Sequence, residues 1–274
     1  MSVGNVLSAP PASVALVIDH RSAYGLVTDF DPFRRIEADT LALADAAEGH
    51  LTAAVPSCPG WSVADLVWHL LEVQHFWGEI VTGRVQDPAT VPEAVRPAEA
   101  RLIPELRTGV ARLVTTLRGA EPAEPVYSWA ARRDAGFVVR HQVQEAAVHR
   151  WDAEHAIGRE SSLDAAAATD AVEEFLEIST PFRADGAAAV GGRLELVAVD
   201  TGIRWVAGED GHGTARWERL AAGAHPAAQE ADAVLRASAS DLLLYLYRRR
   251  SAGALEVTGD VPVAERFALR TGTD

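Results

Sequence analysis

Glu145 and His149 stand four residues apart in the stretch VRHQVQEAAVHRWDAEHAIG, Val139 to Gly158. Four residues is about one helical turn, so one helix face can aim a carboxylate oxygen and an imidazole nitrogen at a single metal ion. The stretch reads as a helix: it has no Pro and no internal Gly, it is rich in Ala, Val, Glu and Arg, and Gly158 stands where a C-cap belongs. His141 and Asp152 fall on the same stripe, with Val138, Val148 and Ala156 beside them. That stripe is too apolar for a solvated face and too polar for plain core. Glu and His at this spacing also occur as an ordinary surface hydrogen-bonded pair, so a metal site requires a third ligand from another element. Asp152 can accept the second ring N–H of a ligating His149 or simply sit on the helix surface. His141 is a candidate further ligand or acid/base group.

The chain that must position these groups has 274 residues, enough for one large or two ordinary domains, and its apolar content of 48% is ample for buried cores. The formal net charge is −14 and every basic residue is Arg. Beyond three consecutive Arg at 248–250 there is no basic run, which argues against nucleic acid and against an anionic membrane surface as partners. Cys58 is the single cysteine, so no intrachain disulfide forms and nothing points to an oxidising compartment. The N-terminal stretch lacks a basic start followed by a long apolar run, and no apolar run approaches the length of a membrane span. The expectation is a soluble, cytoplasmic protein, monomer or homodimer, acting on a small molecule. Richness in Ala and Arg without Lys suggests a high-GC genome.

The elements follow from capping signals and periodicity. Ser8-Ala-Pro-Pro-Ala reads as flexible, and Val14 to Ile18 as a short strand or apolar strap. Asp31-Pro32 opens a helix carrying Ile36, Leu41, Leu43, Ala44 and Ala47, which ends near Gly49. Val55-Pro-Ser-Cys-Pro-Gly-Trp-Ser is irregular, and Cys58 in it reads as a small packed thiol. Ser62 with Asp65 makes a capping box for a second helix, whose stripe is Val63, Leu66, Val67, Leu70, Trp77 and Val81. His69 lies at the edge of that stripe and looks inward, whereas His75 lies on the outer side. A third helix spans about 98–118, and another about 163–183 follows the candidate ligand helix. Near residue 190 helical periodicity gives way to alternation, with strands around Leu194, Ile203, Thr214 and Ala233, then helices at 241–250 and 263–269. The predicted fold class is α+β: an N-terminal extension over 1–30, an antiparallel four-helix bundle over 31–188, and a smaller α/β domain with a mainly antiparallel sheet over 189–274. Arg84 and Arg150 are candidates to meet an anionic substrate or cofactor.

Val55-Pro-Ser-Cys-Pro-Gly-Trp-Ser-Val-Ala-Asp-Leu-Val-Trp-His-Leu, followed far downstream by Gln144-Glu-Ala-Ala-Val-His-Arg-Trp-Asp-Ala-Glu, resembles the mycothiol-dependent maleylpyruvate isomerase family. The resemblance covers about residues 31–274. It implies a DinB-like four-helix bundle and, with Asp241-Leu-Leu-Leu-Tyr-Leu and Leu255-Glu-Val-Thr-Gly-Asp, a sterol-carrier-like C-terminal domain. It further implies that His69, Glu145 and His149 bind a divalent metal, usually zinc, and that the thiol is mycothiol, an actinobacterial compound. The chain departs from the family pattern at Gln144, where a His is common, and at Leu246-Tyr-Arg-Arg-Arg, where a Trp-Gly-Arg-like segment is common. Such a site would activate the thiol for cis–trans isomerisation or S-transfer. Two His and a carboxylate also suit hydrolysis or non-haem iron chemistry, and a non-catalytic protein with an apolar ligand in its second domain is a third reading. Cys58, about three helical turns before His69, is not expected to reach the metal, so a sulfur nucleophile would have to come from solution.

Overall fold

Asp31 accepts from the backbone N–H groups of Phe33 and Arg34 at 3.0 and 3.1 Å, with Pro32 next in line, so the first long helix starts where the capping signal predicts. The computed structural model describes residues 20–210, 212–221 and 231–270. The strand or strap expected at Val14 to Ile18 lies outside them. In chain order the helices are α1 (His20–Tyr24), α2 (Pro32–Ala47), α3 (Val63–Gly83), α4 (Glu99–Gly119), α5 (Ala135–Ala156) and α6 (Ala165–Ile178). Then come β1 (Arg193–Ala198), β2 (Arg204–Glu209), β3 (Ala215–Arg219), β4 (Ala233–Ala237), α7 (Ala239–Leu246), β5 (Glu256–Gly259) and α8 (Val261–Arg270). None of the described helices is long and apolar enough to cross a membrane.

The four long helices pack together, α2 against α5 and α4, and α3 against α4 and α5. Leu66, Val67, Leu70, Trp77 and Val81 of α3 are buried, as their helical spacing requires. α5 begins one turn earlier than Val139, because the Asp134 side chain accepts from the Phe137 N–H at 2.8 Å. It ends with Gly158 at φ +72°, a left-handed conformation that costs glycine little. α5 is buried on nearly every side, including Arg140, His141, Gln144, His149, Arg150, Asp152 and Glu154. The bundle covers one face, and α6 with the sheet and α7 covers the other. Its buried charges are therefore paired: Arg140 with Asp170 at 2.9 Å and Arg150 with Asp39 at 2.9 Å and Glu154 at 2.6 Å.

The sheet runs β3-β2-β1-β4-β5, antiparallel except where β1 pairs β4 in parallel. The parallel pair and the edge strand β5 were not foreseen from alternation, which reports which face is buried and not which strand is the neighbour. Leu194, Leu196, Trp205 and Leu235 of the sheet share one core with Leu243 and Tyr245 of α7, Val172 and Phe175 of α6, and Val148 and Trp151 of α5. At roughly 1.5–3 kcal/mol for each large apolar side chain buried, this shared core fixes the sheet and α7 onto α5. That is what brings the end of α7 to the side of α5.

Candidate metal centre and the cavity it faces

His69 owes its direction to the start of α3. Ser62 Oγ accepts from the Asp65 N–H at 3.3 Å, and the Asp65 carboxylate accepts from the Ser62 N–H at 2.9 Å. Hydrogen bonds from the Ser62 hydroxyl and backbone N–H, with the Arg96 guanidinium beyond them, hold the Asp65 carboxyl down to about 2. This fixes the phase of α3, and His69 faces α5. Its Nε2 lies 3.8 Å from Glu145 Oε2, and His149 Nε2 lies 3.4 Å from the same oxygen. The two imidazole rings meet edge to face with centroids 4.8 Å apart. One ligand atom from each of His69, Glu145 and His149 lies within 4.8 Å of the others. Tetrahedral bonds of 2.0–2.1 Å would put neighbouring ligand atoms about 3.3 Å apart, so the three could hold one metal ion with small adjustments. Glu145 Oε2 is buried and accepts no hydrogen bond, the state expected of an oxygen that serves a cation.

The supporting groups are charged and buried. Asp152, fully buried, accepts from His149 Nδ1 at 3.0 Å; a carboxylate only accepts, so Nδ1 carries the hydrogen and Nε2 faces Glu145. Asp152 also takes two hydrogen bonds from Arg249, at 3.1 and 2.8 Å, and one from Ser57 Oγ at 2.5 Å. Burial alone would lower the His149 pKa, but the hydrogen bond to Asp152 and the charges of Glu145 and Asp152 lift it to about 9. Burial pushes the Glu145 carboxyl up, yet the neighbouring His149, His69 and His141 imidazoles bring it well below the usual carboxylate range. His141 donates through Nδ1 to Glu174 at 3.1 Å, and its Nε2 lies 3.5 Å from Glu145 Oε1. Its ring is enclosed by Trp77, Trp129 and Phe137. His141 thus stands behind the Glu145 carboxylate, not among the three converging groups.

These groups line a cavity of about 900 Å³ between the bundle and the end of α7. Arg84 and Arg150 do not reach it. Arg84 ends α3 at φ +50°, largely exposed, with its Nε 3.1 Å from Glu124. Arg150 follows His149 and so points about 100° further round α5, toward Asp39 of α2. The cations of the cavity wall are Arg248 and Arg249. Sequence reasoning noted the three-Arg run only as charge. Its placement depends on the turn after α7, where Arg248 takes φ +60° and the Arg249 N–H returns to the Leu244 carbonyl at 2.7 Å. Cys58 lies nearer the site than a count of helical turns suggests, although it stays outside the trio. Its loop is drawn back by hydrogen bonds between Val55 and Trp61, so Cys58 lines the cavity, 3.7 Å from Arg249 Nη2 and 4.0 Å from Asp152 Oδ2. Counting turns before His69 treats the loop as straight helix, which it is not. Among the described residues Cys58 still stands outside the converging trio.

Two solved structures share this architecture. The crystal structure of the mycothiol-dependent maleylpyruvate isomerase superposes with a TM-score of 0.54 at 14% identity, covering 83% of this chain and 91% of the other. A histidine-to-alanine mutant of that isomerase gives 0.53 at 14% identity with the same coverage. No curated protein matches the chain significantly in sequence. The model of the mycothiol maleylpyruvate isomerase N-terminal domain matches residues 33–154. That span takes in α3 and almost all of α5, so the part of the chain that carries His69, Glu145 and His149 is the part that matches the mycothiol maleylpyruvate isomerase N-terminal domain.

Proposed function

We propose that the chain is a metal-dependent enzyme that uses mycothiol as a thiol cosubstrate to isomerise, or to transfer sulfur to, a small electrophile. The observation that carries this reading is the convergence of His69, Glu145 and His149 on the wall of a large cavity, in the part of the chain that matches that domain. Two imidazoles and one carboxylate suit zinc and leave a coordination position open. When bound, the divalent ion would keep a thiol ionised at neutral pH, and the thiolate is the nucleophile. Asp152 holds the His149 tautomer that presents Nε2, and Glu174 with His141 braces Glu145 from behind. Arg248 on the cavity wall suits an electrophile bearing a carboxylate. Isomerisation, the reaction class in the names of the two solved relatives, would then be a cis–trans change by addition of the sulfur, rotation about the former double bond, and elimination.

Metal loading should displace a proton. With a pKa of about 9, His149 is protonated near neutrality in the metal-free protein, and its Nε2 hydrogen must leave before it can ligate. Because the raised pKa belongs to the metal-free state, apparent metal affinity should rise about tenfold per pH unit and level off above about pH 9. Zinc titrations by calorimetry in two buffers of different ionisation enthalpy should report about one proton released per metal at pH 7. Release of none would contradict the ligand role of His149.

The reading as a whole is tested by omitting the thiol. Zinc-loaded protein freed of small molecules should turn over maleylpyruvate only when mycothiol is added. Cys58→Ser should keep that requirement, since Cys58 stands outside the trio. Full turnover without added thiol would replace this reading with hydrolytic or oxygen-dependent metal chemistry.

A further inference from the structure

Two polar side chains of the cavity wall have no part in the mechanism so far. Gln144, the residue before Glu145, is 2% exposed. Its Nε2 donates to the hydroxyl oxygen of Tyr247, the residue that caps α7. Its Oε1 is buried with no hydrogen-bond partner. Both residues line the cavity that holds the candidate ligands. The contact joins the two domains directly beside Glu145.

A phenol has one hydrogen to give. Here the oxygen receives the Gln144 N–H, so the phenol hydrogen is directed away from that amide. Among the described residues no acceptor is recorded for it. The ring is fixed, with Phe175 edge-on at 5.0 Å and the Arg249 guanidinium 5.7 Å from its centroid. Burial, and then the Glu145 and Glu174 charges, push the phenol well above 10 against the pull of Arg249. It therefore stays protonated throughout the working range of pH. A neutral O–H held rigidly in a cavity, with its oxygen already engaged, is a preorganised donor.

We propose that the Tyr247 hydroxyl is a catalytic hydrogen-bond donor, aimed at the substrate oxygen that becomes negative when a thiolate adds to a carbon–carbon double bond conjugated to a carbonyl. This rests on the thiol-addition reading above. In the addition, a sulfur lone pair forms the C–S bond, the alkene pair moves to make the enolate C=C, and the carbonyl pair goes to oxygen. Tyr247 keeps its proton and donates only the hydrogen bond. After rotation about the former double bond the electron flow reverses, the C–S bond breaks and the thiolate leaves, so no proton or electron is consumed.

Tyr247→Phe removes the donor and keeps the ring. With circular dichroism and metal content matched to wild type, two measurements decide. In the first, the same thiol is offered an α,β-unsaturated ketone and an alkyl halide; displacement of halide builds no charge on a carbonyl oxygen. The ratio of kcat/KM for addition to that for displacement should fall about 100-fold in the variant, the scale of losing one oxyanion donor. An unchanged ratio overturns the proposal. In the second, 4-nitrophenolate is titrated optically as an oxyanion probe, with no turnover required. It should bind about tenfold more weakly to the variant, and equal affinity again overturns the proposal. A wild-type enzyme without thiol-dependent turnover would overturn the functional reading instead, while weaker probe binding in the variant would still support the donor.

Discussion

His149→Ala is expected to abolish stoichiometric zinc and to lower thiol-dependent turnover on the order of 10³-fold, about 4 kcal/mol of barrier. The loss is large because His149 ties two carboxylates together. Its Nε2 faces Glu145 at 3.4 Å and its Nδ1 donates to Asp152 at 3.0 Å. Loss of a supporting partner alone costs about 10–100-fold in metal affinity. Removing the ligand itself leaves two donors, His69 and Glu145, which cannot set a four-coordinate site. The same change at His75, on the exposed side of α3 with its Nε2 at the Pro92 carbonyl, should leave metal and turnover within about twofold of wild type, as surface substitutions do. Zinc content by elemental analysis and initial rates with saturating thiol check both. Full zinc occupancy in His149→Ala would mean that the ion sits elsewhere and that the trio is only a hydrogen-bonded cluster.

What was legible in the sequence was what local chemistry encodes. Asp31-Pro32, the Ser62/Asp65 box and Gly158 mark helix ends by capping, and all three act as caps in the structure. His69 was separable from His75 because a 3.6-residue period assigns faces. The Asp152–His149 contact follows from a three-residue spacing on one helix. What was not legible depends on the chain returning to itself. Ser57 and Cys58 reach Asp152 through a folded loop, Glu174 reaches His141 from α6, and Arg249 arrives from the turn after α7. No periodicity carries such information. α5 misled in a further way: packed on all sides, it keeps buried Arg140 and Arg150 as paired charges, so polarity did not mark its exposed face. The two places where the sequence departs from the family pattern, Gln144 and the segment after Leu246, are the side chains that meet across the cavity wall. Each departure alone reads as noise, and only their contact makes them one feature.

Asp152→Ala should destabilise the fold by roughly 3–5 kcal/mol, because it strands a buried guanidinium. The Asp152 side chain is fully buried and that of Arg249 is 3% exposed. Arg249 gives Asp152 two hydrogen bonds, and its Nη1 holds the Tyr247 carbonyl at 3.0 Å. Two charges removed from water repay little as a pair, but one left without its counterion costs most of its desolvation. For a chain of this size, at about 2–4 °C per kcal/mol, the melting temperature should drop by roughly 10 °C. The double variant Asp152→Leu with Arg249→Met should regain much of that stability, since matched apolar groups replace a buried pair at small cost, yet it should stay inactive without the group that orients His149. Stability and catalysis would thus separate at one contact, with the ion pair serving to hold the second domain and the ligand helix in register. Scanning calorimetry of wild type, Asp152→Leu, Arg249→Met and the double variant gives the coupling energy. A single Asp152→Ala variant that melts within about 2 °C of wild type would mean that Arg249 swings into the cavity and finds water, and that the domains are held by the shared apolar core alone.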